Sequence, residues 1–323
     1  MKPDLKRMHR PEVSAIIPAF NAEPFIAQSI QSVLDQSFHD FEVIVVDNRS
    51  TDRTSVIAEQ FDDPRICVIK CHRQGAGAAR NTGLECSSGV YVQFLDADDL
   101  LAQNKFELQL KTIKSKDPKG TVASCEWARF EDNLSSAYLA PESVWATEDP
   151  VEWIISSLGG GGMMHSGAWL VHRDLIEAAG PWDESLSLHD DGEFFTRVLL
   201  QAESQQFVSG TRVYYRNVPG GLSGKRDRNA IESAFRVCQS QDGHLLARRD
   251  DYRAREAIAT QYAQFAYEFS AMGPDLSQLA MQRIQQLKVK PINNIGGLRF
   301  RRLVGLIGFH TALSLRSAVS GRK

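Results

Sequence analysis

Between residues 13 and 124, short apolar runs alternate with amphipathic stretches, and this alternation narrows the fold more than any other feature of the chain. The runs at 13–17, 42–46, 65–69, 90–95 and 121–124 have strand length. The run at 42–46 is continuous and β-branched, as a strand covered on both faces must be. Helical spacing fills 23–36, 76–85 and 104–115, and Ser50, Thr51 and Asp52 offer a further helix start before Val56 and Ile57. The pattern βαβαβαβαβ predicts an α/β fold, a doubly wound and mostly parallel sheet. A chain of 323 residues buries a full core without staples. Its five cysteines are odd in number and irregular in spacing, and only Cys67 and Cys71 lie close, so they read as reduced thiols.

Further along, 126–147 reads as irregular or edge structure, 148–150 as the start of a short helix and 159–162 as a mobile glycine loop. A strand is expected at 168–171, a helix at 191–202 and a strand at 212–216. Beyond residue 225 the spacing is helical only, over 231–246, 252–269, 276–287 and 299–318. The glycine-rich stretch 219–224 suggests a boundary between a catalytic domain at 11–222 and a helical C-terminal region at 225–323. A net charge of −3 sets up no strong field and predicts no nucleic-acid partner, but the charge is unevenly placed. After Asp275 there is no acidic residue and there are nine basic ones. Residues 1–12 lack the apolar run of a secretory signal, and the near-apolar stretch 303–315 is too short to span a bilayer. A cytoplasmic location follows, either free or at the inner face of the membrane.

In open α/β sheets, ligands bind beyond the carboxyl ends of the strands. Strand one ends in Pro18, Ala19, Phe20 and Asn21; strand two in Asp47 and Asn48; strand four in Asp96, Ala97, Asp98 and Asp99. Alternation places Asp96 and Asp98 on one side and Asp99 opposite. Three such carboxylates repel unless donors or a cation lie between them. A hard cation such as Mg²⁺ takes one or two carboxylates and completes its shell with phosphate oxygens and water, which suits a nucleoside diphosphate. The alternative is a solvated acidic turn that caps the next helix. The segment GAGAAR at 75–80 begins like a dinucleotide fingerprint but has Arg80 in place of the third glycine and follows the wrong strand. Arg80 reads as a phosphate or base donor, or as a surface arginine.

Taken in order, VSAIIPAFN (13–21), QSIQSVLDQSF (28–38), FEVIVVDNRSTD (41–52) and FLDADD (94–99) resemble the family 2 glycosyltransferases of GT-A fold. The resemblance covers about residues 11–220. It implies an inverting transfer of sugar from a nucleotide-diphosphate donor to a hydroxyl of a saccharide or lipid-linked acceptor, in cell-surface polysaccharide or glycolipid synthesis. It also implies a divalent metal, Mg or Mn. Carried over by position, Pro18, Ala19 and Phe20, with Asn21, line the base and ribose pocket, and Asp47 and Asn48 contact base or ribose. Asp96, Ala97 and Asp98 match the DxD element, with Asp98 and then Asp99 as metal residues. HDDGEFFTR (189–197) resembles the segment carrying the catalytic carboxylate, which makes Asp191 the general base, with Asp190 next in line.

Two positions depart from the family's usual pattern. Asn48 stands where a second acid is common, and no His follows Tyr215 and Arg216, so no third metal ligand is evident. The segment near His165 and Trp182 falls on the acceptor side by resemblance, with Trp182 either a sugar platform or a packing residue. The glycine stretches 159–162 and 220–224 read as lids or as plain loop tips. The basic segment 299–318 reads either as a membrane-surface helix or as a helix that packs on the bundle or a second copy. Two other functions fit a nucleotide-binding sheet. A nucleotidyltransferase needs a Gly- and Lys/Arg-containing loop after strand one, absent at 18–23; a non-catalytic sugar-nucleotide sensor needs no base.

Overall fold

The computed structural model describes residues 10–218, 224 and 226–320. The first half of the chain forms β1 (Val13–Ala19), α1 (Ile26–Leu34), β2 (Phe41–Asp47), α2 (Thr54–Glu59), β3 (Ile66–Lys70), α3 (Ala76–Cys86), β4 (Tyr91–Phe94), β5 (Leu100–Leu101), α4 (Lys105–Lys114), β6 (Thr121–Phe130) and β7 (Tyr138–Leu139). There follow α5 (Pro150–Ser156), β8 (Val171–His172), α6 (Arg173–Ala179), α7 (Asp190–Gln201) and β9 (Ser204–Arg216). The chain ends in α8 (Arg228–Arg248), α9 (Tyr252–Phe269), α10 (Pro274–Leu287), α11 (Leu298–Ile307) and α12 (Phe309–Ser320).

These elements sort into two compact units, each assembled from separate stretches. The first takes the described residues up to Pro141, Met164–Glu184 and Ala202–Val218; the second takes Glu142–Met163, Ser185–Gln201 and the described residues beyond 218. The expected boundary at 222–226 and the expected glycine lid at 220–224 lie outside the described residues, save Gly224 and Arg226.

In the first unit a five-stranded sheet runs β3-β2-β1-β4-β8. Its first four strands are parallel and β8 closes the edge antiparallel to β4. Every residue of β2 is buried, which explains its unbroken apolar run. The buried acid in that run, Glu42, accepts from Ser14 Oγ at 2.8 Å and Ser88 N at 2.6 Å. β2 and β4 flank β1, so the strand order reverses there and a crevice opens at the carboxyl ends. Gly83 seats α3 on this sheet: a Cβ there would lie 2.3 Å from Ile16 Cγ2 and 3.2 Å from Val46 Cγ2.

The fifth expected strand does not extend this sheet. β6 joins a second sheet, β5-β9-β6-β7, and pairs in parallel with β9 from Thr121↔Ser204 to Phe130↔Arg216. A single bridge, Ala123↔Leu170, ties it to the chain leading into β8. The apolar reading stopped at residue 124 because Glu126 interrupts the run; the structure absorbs that charge at a register shift, where Arg212 lies 3.1 Å from its carboxylate.

The second unit is helical. Phe235, Tyr262, Phe265 and Phe269 interlock in its core, with ring centroids 5.1–6.1 Å apart. Buried Asp242 is held by both Arg283 nitrogens, at 2.7 and 3.0 Å. The glycine loop at 159–162 is not loose: it forms a tight turn continuing α5, with Asn294 Nδ2 donating to Gly159 O at 2.8 Å and Ser143 Oγ to Gly161 O at 2.6 Å. The helix expected over 299–318 breaks at Gly308, whose φ of +80° suits glycine. We expect Gly83→Ala to lower stability by about 1–3 kcal/mol through overpacking. Gly243→Ala, inside α8 with nothing within 4 Å of the added methyl, should gain about 0.5–1 kcal/mol. The two urea-unfolding midpoints check this pair.

Candidate active site

The loops after β1 and β2 are knitted together by the polar residues that mark them. Asn21, at φ +47°, accepts from Thr51 N at 2.8 Å, and its own N–H donates to Ser50 Oγ at 3.1 Å. Glu23 N donates to Asp52 Oδ2 and Arg53 N to Glu23 Oε2, both at 3.0 Å. This turn chemistry delays the start of α1 to Ile26. It also spends Asn21 on the loop. Phe20 stands 52% exposed beside Pro18 and buried Ala19, a ring face open for stacking. Asp47 is buried at the end of β2, opposite Ala19, and accepts from Ser50 N at 3.1 Å.

Asn48 resolves the departure from a second acid. Its Nδ2 donates to Arg73 O at 2.6 Å and its Oδ1 accepts from Gly75 N at 2.9 Å. An amide both gives and takes, whereas a carboxylate in its place would only accept. The residue expected at the base or ribose therefore clamps the loop between β3 and α3.

The acidic turn after β4 gathers the expected site acids Asp96, Asp98 and Asp99. Asp96 accepts from Arg80 at 2.8 Å and from Ser166 Oγ at 3.4 Å. Burial opposes its ionisation, but Arg80 and His165 hold its carboxyl below the ordinary range. Arg80 is buried, with its guanidinium 4.5 Å from the Trp182 ring. It is no surface arginine, and Trp182, 2% exposed and edge-on to Phe94, packs rather than presenting a face to a sugar. Asp99 is fully buried; Oδ1 accepts from Arg216 N at 2.8 Å and Oδ2 lies 3.0 Å from His165 Nε2. Burial pushes its carboxyl upward, against the pull of His165.

Asp98 is left over. It is half-buried, follows buried Ala97, and its carboxylate has no hydrogen-bond or ion-pair partner among the described residues. Burial, then the charges of Asp99 and Asp96, push it up to about 7. Asp96 and Asp98 are both half-buried, and of the two only Asp96 has a cationic partner.

Sequence reasoning placed His165 elsewhere. In the structure Asp96, Asp99 and His165 bring ligand atoms within 4.8 Å of one another. Nδ1 of His165 accepts from Gly167 N at 3.1 Å, and Nε2 lies 3.0 Å from Asp99 Oδ2. The imidazole thus stands against the Asp99 carboxylate, whose buried Oδ2 has no hydrogen-bond partner among the described residues. The turn bearing it rests on a network that no motif signalled. Buried Lys105 donates to Gln93 and, at 2.6 Å, to Gln109; these amides donate to Gly167 O and Ala168 O, each at 2.8 Å. Burial brings the Lys105 ammonium down to about 8.

Asp191 lies in the second unit, at the start of α7. Its Oδ1 accepts from Gly192 N at 2.8 Å, and no partner of its other oxygen occurs among the described residues. The neighbouring Glu193 is instead structural, paired to Arg197 at 2.8 Å and accepting from Ser240 Oγ at 2.8 Å. Gln241 Nε2 donates to Gly192 O at 2.9 Å and so fixes the first turn of α7 to α8.

The strain on Asp98 predicts a stability effect. Its carboxyl titrates near 7 when folded and near 3.8 when unfolded, so the stability it contributes is present in full below the lower value and is lost as pH rises through the upper one. Asp98→Asn removes that loss. In metal-free buffer it should stabilise the protein by about 1–2 kcal/mol at pH 8 and by little at pH 4, read from thermal unfolding.

The sequence and the fold have counterparts among known proteins. The glycosyl transferase family 2 model matches residues 14–178. The uncharacterized glycosyltransferase EpsJ of Bacillus subtilis is 29% identical over 66% of this chain and 63% of its own length. WfgD of Escherichia coli, a UDP-Glc:alpha-D-GlcNAc-diphosphoundecaprenol beta-1,3-glucosyltransferase, is 42% identical over 41% of this chain and 52% of its own. The chain thus matches less than two thirds of the length of these curated relatives. The crystal structure of S. aureus TarS 1–349 in complex with UDP superposes with a TM-score of 0.67 at 18% identity, over 97% of this chain and 92% of that one. The likeness to TarS concerns the fold and agrees with the expected GT-A type. The family match spans half of the sequence and includes β1, β2 and the acidic turn, and on that ground the chain belongs to glycosyl transferase family 2.

Proposed function

We propose that this chain is an inverting glycosyltransferase that moves a sugar from a nucleoside-diphosphate donor to a hydroxyl of a saccharide or lipid-linked acceptor, in the synthesis of a cell-surface polysaccharide or glycolipid. The observation that carries the reading is the acidic turn itself: half-buried Asp98 without a cationic partner, beside Asp96 paired to Arg80 and buried Asp99 with an unpartnered Oδ2. UDP is the nucleotide to try first, because WfgD is named for UDP-Glc and the TarS complexes hold UDP and UDP-GlcNAc.

In this reading Asp98, with Asp96 beside it, holds a divalent cation, Mg or Mn. When bound, the cation offsets charge on the departing diphosphate. Asp99 is the second metal residue in this reading: Arg216 N holds its Oδ1, while its buried Oδ2 has no hydrogen-bond partner among the described residues and lies beside His165. Phe20 offers its ring to the base, and Asp47 sits at the edge of the same crevice. Arg80 holds Asp96 in place and reaches the diphosphate only through it.

Transfer is one displacement. The acceptor oxygen forms a bond to the anomeric carbon on the face opposite the diphosphate. The bond from that carbon to the phosphate oxygen breaks, its electron pair leaving with the nucleotide. The acceptor proton passes to Asp191, whose Oδ1 is anchored by Gly192 N.

A screen of UDP-, GDP- and dTDP-sugars with Mg²⁺ or Mn²⁺ tests the class of reaction. Metal-dependent turnover of at least one donor supports it, and no turnover of any sinks it. Asp191→Asn keeps shape but takes no proton. It should leave nucleotide affinity unchanged and lower turnover by roughly 10²–10⁴-fold. Wild-type turnover in that variant would move the base elsewhere, to Asp190 first.

A further inference from the structure

The two C-terminal helices behave differently, and the difference points outward. α12 is docked: Ala312 is fully buried, Leu313 is 6% exposed, and the Arg316 guanidinium sits 4.0 Å from the Tyr267 ring. α11 buries no residue at all. Its one anchored side is Phe300, 4.8 Å from the Tyr267 ring and 5.9 Å from that of Phe309. On the opposite side Leu298 is 58% and Leu306 83% exposed. Arg299, Arg301 and Arg302 are exposed around them and have no ion-pair partner among the described residues. No acid follows Asp275 in the sequence to supply one.

We infer that α11 is a docking surface for anionic phospholipid. A ten-residue helix is marginal alone in water, and this one leaves two leucines and three guanidiniums unpaired. An anionic bilayer surface satisfies both at once. The leucines enter the boundary between headgroups and acyl chains, while the guanidinium forks bind phosphates in pairs. The helix carries one sign of charge, which complements a negatively charged plane. Glycines bracket the helix: Gly296 at φ +73° and Gly308 at φ +80°, the latter with nothing within 4 Å of a Cβ, so α11 can align with that plane. The contact is peripheral, since no helix among the described residues is long and apolar enough to cross a membrane. The inference stands independently of the reaction proposed above.

Vesicle flotation with the full chain tests it. Wild-type protein should float with phosphatidylglycerol vesicles at low salt, stay behind with phosphatidylcholine vesicles, and be released at high salt. The triple variant Arg299→Glu, Arg301→Glu, Arg302→Glu and the double variant Leu298→Ser, Leu306→Ser should each lower partitioning by at least ~10-fold. Both should melt at the wild-type temperature and bind UDP as the wild type does. Any of four results overturns the inference: no flotation of the wild type on phosphatidylglycerol, flotation of both variants undiminished, a fall in melting temperature that makes this face part of the fold, or a Leu306-dependent dimer by analytical ultracentrifugation without lipid.

Discussion

The first unit closes on Arg216. Its backbone N–H holds Asp99, and its guanidinium donates to Asp98 O at 2.8 Å, Glu131 O at 2.9 Å and Gln28 Oε1 at 2.7 Å. The same group lies 4.4 Å from the Phe130 ring and 5.0 Å from that of Phe25. One side chain at the end of β9 thus ties α1, the end of β6 and the acidic turn after β4. Arginine suits the post because its planar fork serves several acceptors while both faces stack. Without this clamp the turn would be a solvated loop, and its carboxylates would spread apart to relieve their repulsion.

Held together, those carboxylates cannot share their charge equally. Arg80 compensates Asp96, and the imidazole of His165 lies 3.0 Å from Asp99. Asp98 alone is left carrying the repulsion of both, which burial sharpens. A site built this way is preorganised: the cost of gathering negative charge is met by the fold before any ligand arrives. The buried Lys105, Gln93 and Gln109 network belongs to the same scheme. By holding Gly167 O and Ala168 O it sets the turn on which His165 and Ser166 meet the acids.

Much of this was legible in the sequence wherever the determinants are local. The four parallel strands of the first sheet follow from apolar runs, and the acidic turn from its place after β4. What escaped depends on partners far apart in the chain. β6 could not be assigned to a second sheet before β9 was known as its neighbour, some 80 residues on. His165 was expected on the acceptor side, because its place beside Asp99 depends on a contact between distant parts of the chain. Asn48 was expected at the base or ribose, and its clamp on the loop before α3 is revealed only by Arg73 O and Gly75 N. The interleaving of the two units was hidden for a similar reason: α5 and α7 look like ordinary members of the α/β alternation but pack with the C-terminal helices.

The central claim is that the repulsion stored on Asp98 is relieved by a cation and a diphosphate together. Calorimetric titration of UDP into the protein, with and without Mn²⁺, measures this directly for the wild type and for Asp98→Ala. The account predicts that Mn²⁺ tightens UDP binding to the wild type by at least ~10-fold and does nothing for the variant. An equal Mn²⁺ effect in both proteins, or none in the wild type, would contradict it.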